Sequence, residues 1–477
     1  MLKHAKWLNF IFAFLVIWLY SIHIDIQNFV YDSSMYWESG SLFSNSGTFS
    51  WLTYDQPLRG YILPFLSYLC MATAKVFGVS ALSIFKLASA LFYSFFLAVL
   101  IPSLYEKLTG SKLKLIQIFC FFVLVFYFWR GYFLYPLSDF VSLFFVLVTV
   151  YALISFFENR KFQIRIFCVL LAGIFLALST LARPSYQIII LPMIIFVIVY
   201  SLLKKIQKRK IFLFVVAMTL GMSIGYSPQI YINQKNYGVL SPFVQTDLVF
   251  KDNLFVNQLL WGLYMQKYES NTNLDSYPSA GVYFYDQQGI NLLDKEKIID
   301  YQNKGFALQK EFTMSSYVGL IMKYPLDMIT IYTRHIFNGL DLMHHSVYLT
   351  DVYKNRILFS FLNYTSWFVS LVAMIRIFCN RALLKRKHFE LVLIVMTILP
   401  SVLSIPGAIE SRFFLPIFLL NYVILSYYLL SHQFTLQSVK IVSLKYAIPY
   451  VLFLLICFTW SSMTFGELSQ GHYLFNN

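Results

Sequence analysis

Six charged residues of the chain lie beside long apolar runs, where they could bind or activate a polar substrate. They are three acids and three arginines: Asp32, Arg59, Asp139, Arg183, Glu410 and Arg412. Arginine holds phosphate through paired N–H donors, and a carboxylate nearby can accept the proton of a hydroxyl group. As a set, they fit chemistry on a phosphate-bearing substrate. Singly, each could equally be an anchor at the membrane interface.

The first acid and the first arginine of this set lie in the stretch 25–80, which follows an apolar run. The part up to Arg59 is polar and rich in Gly and Ser, so its backbone would be unsatisfied in hydrocarbon and it should lie outside the bilayer. Asp32 has two interpretations. It could cap a short helix in YDSSMYW through the N–H groups of Ser34 and Met35, or it could act as a base at the membrane face.

The composition predicts what positions these residues. The chain has 477 residues, 58% of them hydrophobic, and apolar runs of bilayer-spanning length recur throughout. We therefore predict an all-α polytopic membrane protein with about eleven transmembrane helices, outward juxtamembrane helices and one larger outer loop region. The predicted spans lie near 7–24, 81–105, 113–129, 136–157, 166–182, 184–203, 211–232, 357–378, 389–406, 412–431 and 446–465.

The distribution of charge predicts the orientation. The net charge is +15, and the segments expected inside hold 20 of the 37 Lys and Arg residues but only three of the 22 acids. This excess is typical of cytoplasmic segments. It places the N-terminus in the cytoplasm, the C-terminus outside and the chain in the cell membrane, in contact with membrane lipids. The basic balance needs no nucleic-acid partner.

Three parts of the chain follow from this topology. Residues 1–232 form an N-terminal transmembrane catalytic module whose outer segment, 25–80, carries the active site. Residues 233–356 form an extracytoplasmic loop region, and 357–477 form the C-terminal transmembrane helices. The run 61–77 is interpreted as a helix along the outer surface, because an added span would reverse the orientation of all later segments.

Neither cysteine pairs nor a metal site are expected. The five cysteines show no CxxC spacing and fit small core residues. His344 and His345, with Asp341 nearby, could bind a metal, but adjacent histidines on a helix diverge, so we expect none. No Walker loop or GxGxxG motif indicates a nucleotide, and no cofactor is predicted.

Several segments resemble the GT-C superfamily of membrane glycosyltransferases, which includes protein O-mannosyltransferases and lipid A aminoarabinose transferases. The resemblance covers about residues 1–430. It rests on the segments YDSSMYWESGSLFSNSG, LRGYILPFL, PLSDFVSLFFVLVTVYAL, LARPS and ESRFFLPIFLL. Two motifs depart from the family pattern: Asp32-Ser33 stands where Asp-Glu is frequent, and Arg59-Gly60-Tyr61 stands where a basic residue precedes two prolines.

The resemblance implies roles for the charged residues. Asp32 would be the catalytic carboxylate, and Arg59 would contact the phosphate of a polyprenyl-phosphate sugar. Arg183 and Arg412 would bind the same phosphate, while Asp139 would orient the acceptor or the donor. Together the charged residues predict a cavity that opens to the outside of the membrane. Glu410 is expected to be a further substrate-binding carboxylate in this cavity.

Three functions compete at this point. The first is a glycosyltransferase that moves a sugar from a polyprenyl-phosphate donor to a glycan, lipid or protein acceptor on the outer face. The second is a transporter or flippase of a lipid-linked saccharide, which should show repeated halves and polar residues midway through its spans. The third is a scaffold without catalysis. The clustering of charge on one face favours the enzyme.

Overall fold

The structure is a computed structural model that describes residues 5–24, 26, 28–45, 47–249, 253–270, 281–300, 307–343, 356–379, 388–429 and 436–469. Ten helices in these ranges are long and apolar enough to cross a membrane. They confirm the predicted all-α polytopic membrane class. The predicted span 389–406 corresponds to a helix of 16 residues, His388–Leu403, shorter than the roughly 20 residues a span needs. The count of eleven therefore stays a prediction.

The chain divides into two compact units, and the first comprises Met1–Gln245 and Arg376–Pro400. Up to Gln245 its helices are α1 (Ala5–His23), α2 (Asp32–Ser41), α3 (Ile62–Phe77), α4 (Ala81–Phe95), α5 (Ile101–Thr109), α6 (Leu115–Trp129), α7 (Ser138–Glu158), α8 (Phe162–Ala182), α9 (Ile190–Leu203) and α10 (Lys208–Tyr237). A π-helical turn, Phe96–Leu100, joins α4 to α5. A hairpin of β1 (Ser44–Asn45) and β2 (Thr48–Phe49) lies between α2 and α3.

Close packing of α8 against α10 organises this unit. A Cβ atom on Gly173 would overlap the carbonyl oxygen of Met218, and one on Gly221 would overlap that of Leu170. Small residues allow two backbones in a membrane to approach this closely, and dispersion contacts then hold the pair together. Gly173 and Gly221 thus let α8 and α10 lie in backbone contact.

Segment 25–80, which is predicted to lie outside the membrane, is attached to α10 by polar contacts. The side-chain oxygen of Gln229 accepts a hydrogen bond from the backbone N–H of Tyr61 at 3.0 Å. Asn236 donates from its side chain to the carbonyl oxygen of Tyr54 at 2.5 Å. The α3 helix has only 16 residues, and its predicted position along the outer surface stays a prediction.

The second unit comprises Thr246–Ile375 and Ser401–Asn477. The helices after Gln245 are α11 (Leu254–Tyr264), α12 (Gln287–Lys295), α13 (Met314–Lys323), α14 (Pro325–Leu340), α15 (Ile357–Cys379), α16 (His388–Leu403), α17 (Leu415–Val423) and α18 (Leu436–Gly466). The end of α15 and most of α16 belong to the first unit. The strands β3 (Met265–Ser270), β4 (Gly281–Tyr285) and β7 (Leu468–Ser469) form an antiparallel sheet, and β5 (Ile299–Asp300) pairs with β6 (Ala307–Leu308).

The helices of the predicted outer loop region share an apolar core within the second unit. Leu263 of α11, Ile290 of α12 and Ile331 of α14 are all buried in it. Burying such side chains contributes about 1.5–3 kcal/mol each relative to leaving them exposed. The described part of the region thus includes a packed helical core, while the three-part division by membrane side stays a prediction.

Candidate functional site

Asp32 is the first residue of α2 and does not cap it. The N-cap residue is Tyr31, whose φ of 52° lies in the left-handed region and whose side chain makes no capping hydrogen bond. The carbonyl oxygen of Tyr31 instead accepts the backbone N–H groups of Ser34 and Met35, at 3.1 and 3.2 Å. The interpretation of Asp32 as the N-cap is therefore wrong. A carboxylate in the first turn is still favoured by the helix dipole.

The Asp32 carboxylate contacts Arg59, 27 residues further along the chain. The Nη2 atom of Arg59 donates to Oδ1 of Asp32 at 2.6 Å. The guanidinium carbon also lies 5.4 Å from the ring centre of Tyr36, which is one helical turn after Asp32. A cation near a ring face is attracted by the electron density of the ring. The α2 helix thus supplies both a carboxylate and an aromatic ring to the same guanidinium.

The backbone around Arg59 is fixed by two contacts. The buried Tyr54 hydroxyl donates to the carbonyl oxygen of Arg59 at 2.8 Å. Burial raises the pKa of Tyr54 well above its ordinary value, with smaller contributions from Tyr36 and Tyr237, so the phenol stays protonated and can donate. On the other side, Gly60 touches the backbone of Leu181, where a Cβ atom would overlap the carbonyl oxygen.

The Asp32–Arg59 pair is partly exposed. The side chain of Asp32 is 29% exposed and that of Arg59 is 22% exposed. Ion pairs with this access to solvent typically contribute about 0–1 kcal/mol, because water competes for both partners. The pair can therefore exchange partners with a charged ligand at little cost in stability.

A second ion pair joins Asp139, near the start of α7, to Arg183, which follows α8 directly. The Nη1 atom of Arg183 contacts Oδ1 of Asp139. This pair is deeper than the first, because the Asp139 side chain is only 1% exposed and that of Arg183 is 18% exposed. Breaking a buried pair by removing one partner is costly, and the contact therefore links the ends of α7 and α8.

Both pairs lie at the same end of the first unit. Gly60, next to Arg59, touches Leu181, two residues before Arg183. Tyr61 at the start of α3 belongs to the same buried cluster as Leu181 and Ala182. The structure thus brings together four of the six residues that the sequence singles out.

Glu410 and Arg412 lie in the second unit and pair with one another. Nε of Arg412 is 2.7 Å from Oε2 of Glu410, and Nη2 is 3.0 Å from Oε1. Their side chains are 7% and 11% exposed, respectively. The outward cavity that the sequence predicts for all six residues stays a prediction.

A buried polar network next to Glu410 and Arg412 is not predicted from the sequence. Lys267 of β3, 0% exposed, donates to the carbonyl oxygen of Asp341 at 2.7 Å. The Asp341 carboxylate accepts hydrogen bonds from Tyr364 at 2.7 Å and from Ser461 at 2.6 Å. Ser411 also donates to the Asp341 carbonyl oxygen at 3.2 Å. The members of this network are separated from Asp341 by up to 120 residues in the sequence, so no local spacing reveals the network.

The structure describes only some of the residues that were considered as metal ligands. His344 and His345 lie outside the described residues. Among the residues that are described, no group of three or more His, Cys, Asp or Glu side chains is placed to hold a metal ion. Asp341 has the hydroxyl partners named above.

Similarity to known proteins gives no guide to the role of this site. Comparison of the chain with protein-family models, with curated proteins and with solved structures finds no match.

Proposed function

We propose that the chain is a membrane glycosyltransferase that moves a sugar from a polyprenyl-phosphate donor to a hydroxyl acceptor at the outer face of the cell membrane. The observation that carries this proposal is the partly exposed Asp32–Arg59 pair. It offers a carboxylate and a guanidinium within 2.6 Å of each other, in a segment outside the apolar helices of spanning length. The first can take a proton, and the second can hold a phosphate.

The proposed reaction is a single displacement. The acceptor hydroxyl oxygen forms a bond to the anomeric carbon of the donor sugar, and the bond from that carbon to the phosphate oxygen breaks. The electron pair leaves with the polyprenyl phosphate, whose developing charge Arg59 stabilises. The hydroxyl proton passes to the carboxylate of Asp32.

The ion pair suggests how donor binding prepares the base. In the free protein, Arg59 stabilises the ionised form of Asp32 through the 2.6 Å hydrogen bond. Donor phosphate competes for the same guanidinium, because phosphate and carboxylate accept the same donors. When phosphate takes over Arg59, Asp32 becomes a stronger proton acceptor beside the bound sugar.

A transfer assay on the purified chain tests the proposal. The chain is placed in lipid vesicles with a polyprenyl-phospho-hexose labelled in the sugar, and a cell-surface extract serves as acceptor. We expect the label to pass from the donor to the acceptor, with release of polyprenyl phosphate. Movement of intact donor across the vesicle bilayer, without breakage of its sugar–phosphate bond, would instead identify the transporter that competes with this proposal.

Removing the Arg59 guanidinium is expected to weaken donor use. Hydrogen bonds to charged groups contribute about 1.5–3 kcal/mol. Arg59→Ala should therefore raise the donor KM by roughly ten- to a hundred-fold. Arg59→Lys should recover only part of this loss, since Lys keeps the charge but lacks the planar pair of donors. Initial rates at varied donor concentration measure both effects, and an unchanged donor KM in Arg59→Ala would remove Arg59 from donor binding.

The orientation predicted from the charge distribution can be tested by labelling cysteines from outside the cell. Exposed Ser44 lies in the hairpin of the outer segment, and exposed Gln207 lies between α9 and α10. In a background without native cysteines, a membrane-impermeant maleimide should modify Ser44→Cys in intact cells but modify Gln207→Cys only after permeabilisation. The reverse pattern would place segment 25–80 in the cytoplasm. Asn271, a further site expected outside, is beyond the described residues.

A further inference from the structure

A partly open cavity of about 360 Å³ lies beside α2 in the first unit. It is lined by Ile26, Asn28, Phe29, Trp37, Glu38 and Leu82. Cavities that hold small ligands begin at about 300 Å³, so this one has room for a ligand of about one ring. Asp32 and Arg59 are not among its described lining residues, so it is distinct from the ion pair.

The cavity combines aromatic surface with hydrogen-bonding groups. Trp37 meets Phe29 at a ring-centre distance of 5.0 Å and Phe85 at 5.7 Å, with the rings inclined by 61° and 75°. These edge contacts help to hold the indole in place, and Trp37 lines the cavity. Glu38, which is exposed, adds carboxylate oxygens, and Asn28 adds both a donor and an acceptor.

The position of the cavity on α2 relates it to Asp32. Trp37 and Glu38 follow Asp32 by five and six residues, which turns them by roughly 140° and 240° around the helix. Glu38 also lies roughly 9 Å from Asp32 along the helix axis. One rigid helix therefore presents the ion pair on one side and the cavity on the other.

We propose that this cavity is a saccharide-binding subsite that holds a sugar unit of the acceptor glycan. A pyranose ring has an apolar face of C–H groups, which fits against the electron-rich face of Trp37. Its hydroxyl groups fit the oxygens of Glu38 and the amide of Asn28. The Glu38 carboxylate disfavours an anionic headgroup, because like charges repel. The assignment to an acceptor rests on the proposed transferase function, but the binding of a sugar does not.

The test is binding of simple sugars to the full chain in detergent micelles. The probes are the methyl glycosides of glucose, mannose, galactose and N-acetylglucosamine, observed by saturation-transfer NMR. We expect at least one glycoside to bind. Trp37→Ala should weaken that binding tenfold or more, Trp37→Phe should weaken it less, and Glu38→Gln should weaken it several-fold. Thermal unfolding of each variant confirms that the fold is kept.

Two control variants separate this proposal from the proposed function. Trp7→Ala removes an indole that is 56% exposed on α1 and should bind the glycoside as the parent does. Asp32→Asn should also bind it normally, because Asp32 lies on the other side of α2. Trp37-dependent binding in a chain that transfers no sugar would keep the subsite and reject the transferase.

Three results would overturn the subsite. They are the absence of binding by all four glycosides, equal binding by folded Trp37→Ala, and displacement of the bound glycoside by a short-chain phosphatidylcholine at concentrations below its own aggregation. The last result would assign the cavity to lipid.

Discussion

Asp32→Asn is expected to lower the rate of sugar transfer by about a hundred- to ten-thousand-fold, which is the usual contribution of a general base. An amide cannot accept the hydroxyl proton, although it has nearly the shape of the carboxylate. The fold should be retained, because the pair with Arg59 is partly exposed and contributes about 0–1 kcal/mol. The substitution also leaves the capping of α2 unchanged, because the N-cap residue is Tyr31 and not Asp32. Initial rates and thermal unfolding, measured on the same preparation, provide the two readouts.

Asp55→Asn is the matched control for this experiment. Asp55 is exposed in the same segment 25–80 and lies four residues before Arg59. The control should transfer sugar at nearly the parental rate. If Asp32→Asn retains a rate within tenfold of the parent, Asp32 is not the base. If it loses activity together with its unfolding transition, its role is structural.

The helices follow from the sequence because the bilayer imposes a simple rule. An apolar run must satisfy its own backbone hydrogen bonds, and a helix of about 20 residues does so across the hydrocarbon. The predicted spans 136–157 and 166–182 accordingly correspond to α7 and α8, with boundaries within four residues. The strands β3 and β4 are not predicted, because each strand is stabilised by pairing with residues elsewhere in the chain and not by its own sequence.

The site is less predictable than the helices, for two physical reasons. Whether Asp32 caps α2 depends on the backbone conformation of Tyr31, whose positive φ is rare for a bulky residue and leaves no pattern in the sequence. Burial is a property of the whole fold. The sequence places Asp139 near a helix start but does not show that its side chain is 1% exposed. Residue types indicate the kind of chemistry, while partners and depth come from tertiary structure.

Arg183→Met is expected to destabilise the protein by about 3–5 kcal/mol, because it removes the guanidinium that contacts the buried Asp139 carboxylate. Methionine keeps much of the apolar stem, so the loss reports the charge rather than the packing. The double variant Asp139→Asn, Arg183→Met should recover most of this stability, since it no longer buries a carboxylate that lacks the guanidinium. Thermal unfolding in detergent at one fixed scan rate ranks the series by apparent unfolding temperature, because such unfolding is frequently irreversible and then gives no free energy.

Arg59→Met is the matched control, since it makes the same change at the partly exposed pair of the same unit. It should unfold close to the parental temperature, because such a pair contributes only about 0–1 kcal/mol, whereas Arg183→Met should unfold at a clearly lower temperature. Equal unfolding temperatures for the two variants would contradict a structural role for the Asp139 pair. Loss of transfer by Arg183→Met at full stability would instead support the role that the family resemblance implies, in which Arg183 binds the donor phosphate. The comparison thus decides whether Arg183 holds the ends of α7 and α8 together or binds substrate itself.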